Sequence, residues 1–289
     1  MYKIAILGCE NSHAKNFLNI IKENEMFSDV EVIGVFSEDM EAANKLKDEF
    51  GVNVANSYDE FVGKVDGIIN TARSGDNHYK YLKPYISSGI PMFIDKPITN
   101  TEEDAKEFKA ELIKNNIKIS GGSTLKHPDG IVELKKAVKE KTYGEVYGGF
   151  LRAPVSLENA WGNFHFYAQH LVQMCCEIYG YYPNSVKAFK NGNVVNCTIR
   201  YDEYDVNLMY VHANYIYSVT VSCENDVVSR SLTTDGCAFK EFTEFYNILK
   251  GKEQPQSYDD FFAPVYIINA LDRSLKSGNE EIVKRDMSI

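Results

Sequence analysis

The first 120 residues alternate between short apolar runs rich in β-branched residues and longer segments with apolar residues at helical spacing. Residues 3–8 form the first apolar run, residues 14–24 the first helical segment and residues 30–36 the second apolar run. Each such strand–helix–strand unit requires parallel strands, because a crossover helix joins strands that run in the same direction. The pattern therefore predicts an α/β fold with a doubly wound parallel sheet.

The pattern changes after the glycine pair at Gly121 and Gly122. Polar and apolar residues then alternate with a period of two, and Asn, Asp and Gly separate the runs, which predicts an antiparallel sheet with one open face. The runs cover residues 194–201, 206–212, 217–223 and 227–232, and helical segments are predicted at 131–139, 164–179, 239–249 and 261–277. We predict two domains, residues 1–121 and residues 122–289.

Composition narrows the classes of partner. The 289 residues carry a formal net charge of −10, which disfavours nucleic acid and anionic lipid as partners. No apolar run is long enough to cross a bilayer and no leader-like segment precedes the first strand, so a cytoplasmic location is expected. The six cysteines contain no CxxC pair, and we expect reduced thiols, most of them within the core.

The loop after the first strand, GCENSH, corresponds to a dinucleotide-binding GxGxxG loop with two glycines replaced. Gly8 meets the requirement for a tight turn, whereas Glu10 and His13 occupy the other two glycine positions. A Glu10 carboxylate facing inward would repel phosphate, but Asn11 and Ser12 offer donors, Ser12 can cap the helix and His13 can donate to a phosphate oxygen. The loop alone leaves dinucleotide binding open.

Three further strand ends carry candidate residues. Ser37 ends the second strand, where it can bond a ribose hydroxyl or a phosphate. No Arg follows to hold that phosphate, which favours NAD over NADP. Thr71 ends the buried run DGIINT and is a second cofactor-binding candidate. The stretch MFIDKPIT delivers Asp95 and Lys96 to a carboxyl strand end, where ligands bind in open α/β sheets. A lysine there can exchange a proton with a substrate hydroxyl, the alternative being a surface lysine after an edge strand.

Several motifs together resemble the Gfo/Idh/MocA oxidoreductases over nearly the whole chain. They are the dinucleotide-fold start, IDKPI (similar to the family's EKP motif), the Gly121-Gly122 pair, YGEVYGG and the closing APVYIINALDRSLKSG. The resemblance implies an N-terminal Rossmann domain and a C-terminal α+β domain with a large, mostly antiparallel open sheet. It also implies a homodimer or homotetramer formed through that sheet, and NAD- or NADP-dependent oxidation or reduction of a sugar, inositol or related polyol.

The resemblance also assigns roles to individual residues. Lys96 corresponds to a lysine that contacts both substrate and nicotinamide, and His78 to a histidine near the cofactor. His170 falls at the histidine of a DxGxHxxD segment, which implies a general acid or base. Here the segment is FYAQHLVQ, with Phe166 and Gln173 at the aspartate positions. Without a carboxylate partner, His170 is expected to be the weaker base, and proton transfer to fall mainly to Lys96.

Four residues of the second domain are predicted to contact substrate. His165 and Gln173 belong to a polar stripe with a spacing of four on the predicted helix, the alternative being a helix face hydrogen-bonded to the neighbouring sheet. Trp161 lies just before that helix, and His127 lies in the loop STLKHPDG. His165 and His170 lie about 140° apart around a helix, so we predict no metal site there.

Two classes of function remain open. The first is an NAD(P)-dependent oxidoreductase acting on a polyol-like substrate. The second is a ligand-binding or regulatory protein that kept the fold but lost turnover, because both the glycine loop and the acid/base segment depart from pattern. A redox-neutral reaction with tightly held NAD is a third, weaker alternative.

Overall fold

The computed structural model describes residues 1–285. Contacts divide this part of the chain into two compact units. Unit 1 comprises Met1–Gly122 and Ala238–Tyr258, and unit 2 comprises Ser123–Cys237 together with the residues from Asp259 onward.

Unit 1 is built on a five-stranded parallel sheet with the strand order β2-β1-β3-β4-β5. Its strands are β1 (Tyr2–Leu7), β2 (Val30–Phe36), β3 (Gly67–Asn70), β4 (Met92–Asp95) and β5 (Ile119–Gly122). The intervening helices are α1 (Ser12–Glu23), α2 (Met40–Phe50), α3 (Asp76–Leu82) and α4 (Glu102–Lys114). Because β1 lies between β2 and β3, the strand order reverses at β1, and a crevice for ligands opens at its carboxyl end.

Side-chain caps fix where the helices of unit 1 begin. Asn11 caps α1 by accepting a hydrogen bond from the His13 N–H at 2.8 Å, so the cap is Asn11 rather than Ser12. Asp39 caps α2 and Thr101 caps α4 in the same way. The Asn11 cap begins α1 after the short loop that follows β1.

Gly8 is the one glycine of the loop that the local geometry requires. Its φ of +87° is a conformation that side chains disfavour. A Cβ at this position would lie 2.2 Å from the backbone nitrogen of Ala72. The loop after β1 therefore contacts the loop after β3 through bare backbone.

The second half of the chain adds the remaining elements. In order, these are α5 (Asp129–Lys139), β6 (Val146–Val155), α6 (Phe164–Tyr179), β7 (Ser185–Asn191), β8 (Val194–Arg200), β9 (Asp205–His212), β10 (Tyr217–Cys223), β11 (Val227–Leu232), α7 (Cys237–Leu249), α8 (Tyr258–Ser277) and β12 (Glu281–Ile282). Seven strands form the sheet of unit 2 in the order β11-β10-β6-β9-β8-β7-β12. All neighbours are antiparallel except β6 and β9, which confirms the predicted fold class.

Strands β7 and β12 were not predicted from the sequence. In β7 only Val186 and Ala188 are buried, and Phe189 is 58% exposed, so the alternating signal covers just two residues. β12 is two residues long. β12 is the edge strand of the sheet and β7 is its neighbour. At this end of the sheet, hydrogen bonding to a neighbouring strand can define a strand that has little apolar pattern of its own.

Helix α7 belongs by its contacts to unit 1, although the predicted division leaves this segment in the second domain. Its aromatic face packs in the same core as β1, α1 and β4. Phe242 lies 5.5 Å from Phe17 between ring centroids, and Phe245 lies 6.3 Å from Phe93. Unit 1 is thus assembled from two separate stretches of chain.

All six cysteines are buried thiols without disulfide bonds, in agreement with their predicted place in the core. No helix within residues 1–285 combines the length and apolar character needed to cross a bilayer.

Candidate active site

The carboxyl end of β4 carries a buried acid and a buried base side by side. Asp95 is fully buried and Lys96 is 7% exposed. The Asp95 Oδ1 accepts a hydrogen bond from the Lys96 backbone N–H at 2.7 Å, which fixes the carboxylate. Burial lowers the pKa of the Lys96 amine; the Asp95 charge opposes this shift and the Arg73 guanidinium adds to it. A larger fraction of this amine is therefore neutral at a given pH than for an exposed lysine.

His13 faces Asp95. Its Nδ1 lies 2.7 Å from Asp95 Oδ2, so the ring forms a salt bridge between the start of α1 and the end of β4. Burial alone would lower the pKa of His13, but the Asp95 carboxylate outweighs it and the pKa is raised. Burial would likewise raise the pKa of Asp95, whereas His13 and then Lys96 lower it. One of the two ring nitrogens of His13, Nδ1, is thus engaged by a carboxylate.

Glu241 is a buried carboxylate that the sequence analysis did not single out. It lies on α7, is fully buried, and its charge raises the pKa of His13 and opposes the fall in the pKa of Lys96. Its signal in the sequence is an acid inside the apolar run CAFKEFTEFYNIL, where burial of a charge requires a partner. Two carboxylates and two bases thus share one buried region of unit 1.

The Glu10 carboxylate is turned toward the ends of β2 and β3. Its Oε2 accepts hydrogen bonds from the Cys9 N–H and the Ser37 hydroxyl, both at 2.8 Å. Its Oε1 accepts one from the Arg73 N–H at 2.8 Å. This carboxylate therefore joins the three loops that follow β1, β2 and β3.

The remaining predicted residues of the loops hold the crevice together. The Asn11 side-chain amide donates to the Thr71 carbonyl at 2.6 Å, and the Thr71 hydroxyl donates to the Gly8 carbonyl at 2.6 Å. His78 is fully buried, and its ring nitrogens lie 2.8 Å from the Ala72 carbonyl and 3.2 Å from the Ile98 carbonyl. Burial lowers the pKa of His78. Thr71 and His78 thus bond to backbone carbonyls of the loops that follow β1, β3 and β4.

In unit 2, His170 has a hydroxyl partner in place of the missing aspartate. The Ser123 Oγ lies 2.7 Å from His170 Nδ1, and both residues are buried. Ser123 also accepts a hydrogen bond from the Leu125 N–H at 3.1 Å, which holds the hydroxyl in place. The Tyr167 ring packs against the imidazole, with 4.6 Å between ring centroids. Ser123 thus orients the imidazole.

The polar stripe on α6 is largely engaged within unit 2. The Gln173 amide donates to Glu177 Oε1 at 2.9 Å and to the Tyr181 hydroxyl at 3.3 Å, and Lys135 pairs with Glu177 Oε2 at 2.7 Å. These partners of Gln173 and Glu177 lie on α6 itself, directly after it and on α5, and none of them is on the neighbouring sheet. Gln173 is thus a buried member of a hydrogen-bond network in unit 2.

The other three substrate candidates also lie in unit 2. His165 lies beside Asn269 and Asp272 on α8, and burial lowers its pKa. Trp161 lies in the turn before α6 with its ring 5.2 Å from that of Phe166, and His127 is buried after the short turn Thr124–Lys126. Within residues 1–285, no cluster of three His, Cys, Asp or Glu side chains is arranged to hold a metal ion.

The N-terminal part of the chain matches a known protein family. Residues 2–122 match the model described as "Oxidoreductase family, NAD-binding Rossmann fold", the Gfo/Idh/MocA model. The sequence of residues 2–122 is thus similar to that of the Gfo/Idh/MocA family. The family resemblance drawn from the sequence motifs is thereby confirmed, and the family description agrees with the predicted nicotinamide dinucleotide cofactor.

Solved structures share the fold of the whole chain at low sequence identity. A myo-inositol dehydrogenase from Corynebacterium glutamicum is 15% identical with a TM-score of 0.84, covering 98% of this chain and 99% of that one. A scyllo-inositol dehydrogenase from Lactobacillus casei, solved with NAD(H) and scyllo-inositol, is 14% identical with a TM-score of 0.84 and the same coverage. The WlbA dehydrogenase from Chromobacterium violaceum, solved with NADH and UDP-GlcNAcA, is 15% identical with a TM-score of 0.81, covering 99% and 96%. No curated protein sequence is significantly similar to this chain.

Proposed function

We propose that this protein is an NAD-dependent dehydrogenase that interconverts an alcohol and a ketone on an inositol, a sugar or a related polyol. The observation that carries the proposal is the buried pair of Asp95 and Lys96 at the carboxyl end of the parallel sheet. Structural neighbours that are dehydrogenases of inositols and of a sugar nucleotide support the substrate class.

The crevice of unit 1 fits a dinucleotide. Gly8 leaves bare backbone at the turn, and the Glu10 carboxylate lies toward β2 and β3 instead of over the start of α1. A groove of about 720 Å³ lies against the loop and is lined by Cys9, Glu10, Asn11 and Ser12 together with residues of α1 and α2. The N–H groups at the start of α1 and the residues Asn11 and Ser12 would hold the pyrophosphate.

The proposed reaction transfers a hydride and a proton to different acceptors. Oxidation of a carbinol carbon removes one hydride and one hydroxyl proton, and a nicotinamide dinucleotide, when bound, accepts the hydride. In the proposal the neutral Lys96 amine accepts the proton, because burial has lowered its pKa. In the reverse direction the ammonium returns that proton to the carbonyl oxygen. His170 is the second candidate for the same proton.

Substitution of Ser123 tests the role of His170. Ser123→Ala removes the partner of Nδ1, and we expect kcat to fall about tenfold with a shifted pH profile, because one hydrogen bond that orients the imidazole is lost. Ser123→Thr keeps the hydroxyl and should restore the rate. Ser120→Ala removes another buried serine hydroxyl and serves as the control. An unchanged pH profile in Ser123→Ala would exclude the positioning role.

The function itself is tested by cofactor titration followed by a substrate screen. Calorimetric titration of NADH and NADPH should give saturable binding, and the NADH-producing activity should then be screened over inositols, sugars and sugar acids. Saturable binding without turnover on any polyol would instead favour the second function, a ligand-binding protein. The observation that favours this second function is that FYAQHLVQ has Phe166 and Gln173 at the two aspartate positions of the family pattern.

A second copy of the chain is the proposed partner of the open sheet. Phe150, Arg152 and Met209 lie on the face opposite the buried residues, where Arg152 pairs with Met209 in register. We expect light scattering to give two or four times the chain mass of 32.8 kDa, and Met209→Glu to lower that mass. A monomeric mass at micromolar concentration would contradict the proposal.

A further inference from the structure

The Glu10 carboxylate lies at the switch point of the unit 1 sheet. Its three hydrogen bonds reach the loops after β1, β2 and β3 through Cys9, Ser37 and Arg73. A Rossmann domain that binds NAD places a carboxylate for the ribose hydroxyls near the end of β2. In this chain the residue at that strand end is Ser37, and its hydroxyl hydrogen is donated to Glu10. The carboxylate beside the end of β2 is therefore that of Glu10, from the loop after β1.

The two acids that follow Ser37 are engaged elsewhere. Glu38 is exposed and pairs with Lys80 at 3.3 Å. Asp39 caps α2 by accepting from the Ala42 N–H at 3.0 Å, and its own N–H donates to the Ser37 hydroxyl oxygen at 3.1 Å. Of the three acids Glu10, Glu38 and Asp39, Glu10 is the one whose carboxylate bonds to the loops around the crevice.

The Glu10 carboxylate also has acceptor capacity for a ligand. A carboxylate offers about four lone-pair sites. The hydrogen bonds to Cys9, Ser37 and Arg73 occupy three of them, two on Oε2 and one on Oε1. The donors fix the carboxylate in place, so that a hydroxyl binding to Oε1 meets a group that is already oriented.

The charges around the groove favour a ligand without an additional phosphate. Five carboxylates and two lysines line it: Glu10, Asp39, Glu41, Asp48, Glu49, Lys15 and Lys45. Lys15 pairs with Glu49 and Lys45 pairs with Glu41, so both cations are already balanced by acids. A 2′-phosphate entering this groove would meet an excess of negative charge.

We propose that Glu10 is the specificity residue that accepts a hydroxyl of the adenosine ribose and so selects NAD over NADP. This inference rests on the proposed dinucleotide-binding function. It reverses the expectation that a carboxylate at this glycine position opposes the cofactor, because the carboxylate points to the ribose side of the crevice rather than to the pyrophosphate side.

The test is calorimetric binding of NADH, NADPH and 2′-deoxy-NADH to the wild type, Glu10→Gln and Glu38→Gln. Glu10→Gln is nearly isosteric and keeps one acceptor oxygen. We expect the wild type to prefer NADH over NADPH and Glu10→Gln to reduce that preference about tenfold, the size of one charge-assisted hydrogen bond. Glu38→Gln, the matched control, should leave the preference unchanged. Loss of the ribose 2′-hydroxyl should weaken binding to the wild type more than to Glu10→Gln.

The outcomes separate the inference from the function it rests on. A wild type that binds none of the three nucleotides overturns the proposed function and this inference together. A wild type that binds them, with the same preference in Glu10→Gln, overturns the inference alone. Tighter binding of both cofactors by Glu10→Gln also overturns it, because Glu10 would then compete with the ligand. Thermal unfolding of each variant verifies the fold, and Glu10→Asp replaces Glu10→Gln where the latter is unfolded.

Discussion

Lys96→Met is expected to reduce kcat by about 10³-fold, the usual contribution of a positioned general base, while the affinity for NADH changes less than tenfold. The methionine fills the volume of the lysine stem but cannot take the hydroxyl proton. Lys109→Met is the matched control, because Lys109 is a buried lysine of the same unit on α4 and lies outside the proposed machinery. Steady-state rates with the polyol found in the screen, and calorimetric affinities for NADH, provide the comparison. Turnover within tenfold of the wild type would show that another group takes the proton.

The pH profile gives an independent measure of the same amine. Lys96 acts as a base only when neutral, and burial lowers its pKa from 10.5. The rate of alcohol oxidation should therefore rise with pH along a limb that lies below the range of an ordinary lysine. The limb should disappear in Lys96→Met. A limb that stays in place in this variant would assign it to His170 or to another group.

Asp95→Asn is expected to lower the free energy of unfolding by about 3 kcal/mol at pH 6, the size found when one partner of a buried ion pair is removed. The asparagine keeps Oδ1 as an acceptor for the Lys96 N–H but leaves a charged His13 without its carboxylate. Urea titration followed by circular dichroism measures the change. Glu49→Gln, which breaks the exposed pair between Lys15 on α1 and Glu49 on α2, should cost less than about 1 kcal/mol.

The pH dependence of this loss follows from the direction of each shift. The pKa of His13 is raised from 6.5, so its contribution to stability is complete below 6.5 and is lost as the pH rises through the folded-state pKa. The pKa of Asp95 is lowered from 3.8, so its contribution is present above 3.8 and is lost as the pH falls through the folded-state pKa. The cost of Asp95→Asn should thus be largest near pH 6 and smaller at pH 9. An equal cost at both values would contradict the assigned pair.

The sequence predicted the elements of unit 1 well because strand and helix periodicities are local and the caps adjoin them. It also placed Asp95 and Lys96 at a strand end. It could not determine the direction of the Glu10 side chain, because its three donors come from residues as far apart as Cys9 and Arg73.

Two further site features depend on contacts between segments that are distant in the chain. Ser123 and His170 are 47 residues apart, and a serine carries little signal of a histidine partner. Glu241 joins the charged region of unit 1 only because α7 returns to that core. Strand β7 was missed for a different reason, because two buried residues are too few to set a period.

The return of α7 has a consequence for how this protein can be divided. The first stretch of unit 2, Ser123–Cys237, lies between β5 and α7, so residues 2–122, which match the family model, do not form the whole of unit 1. A fragment ending at Gly122 would expose the core surface that Phe242, Phe245 and Leu249 cover. Because α7 follows the first stretch of unit 2, unit 1 cannot complete its core during synthesis until that stretch, Ser123–Cys237, has emerged from the ribosome.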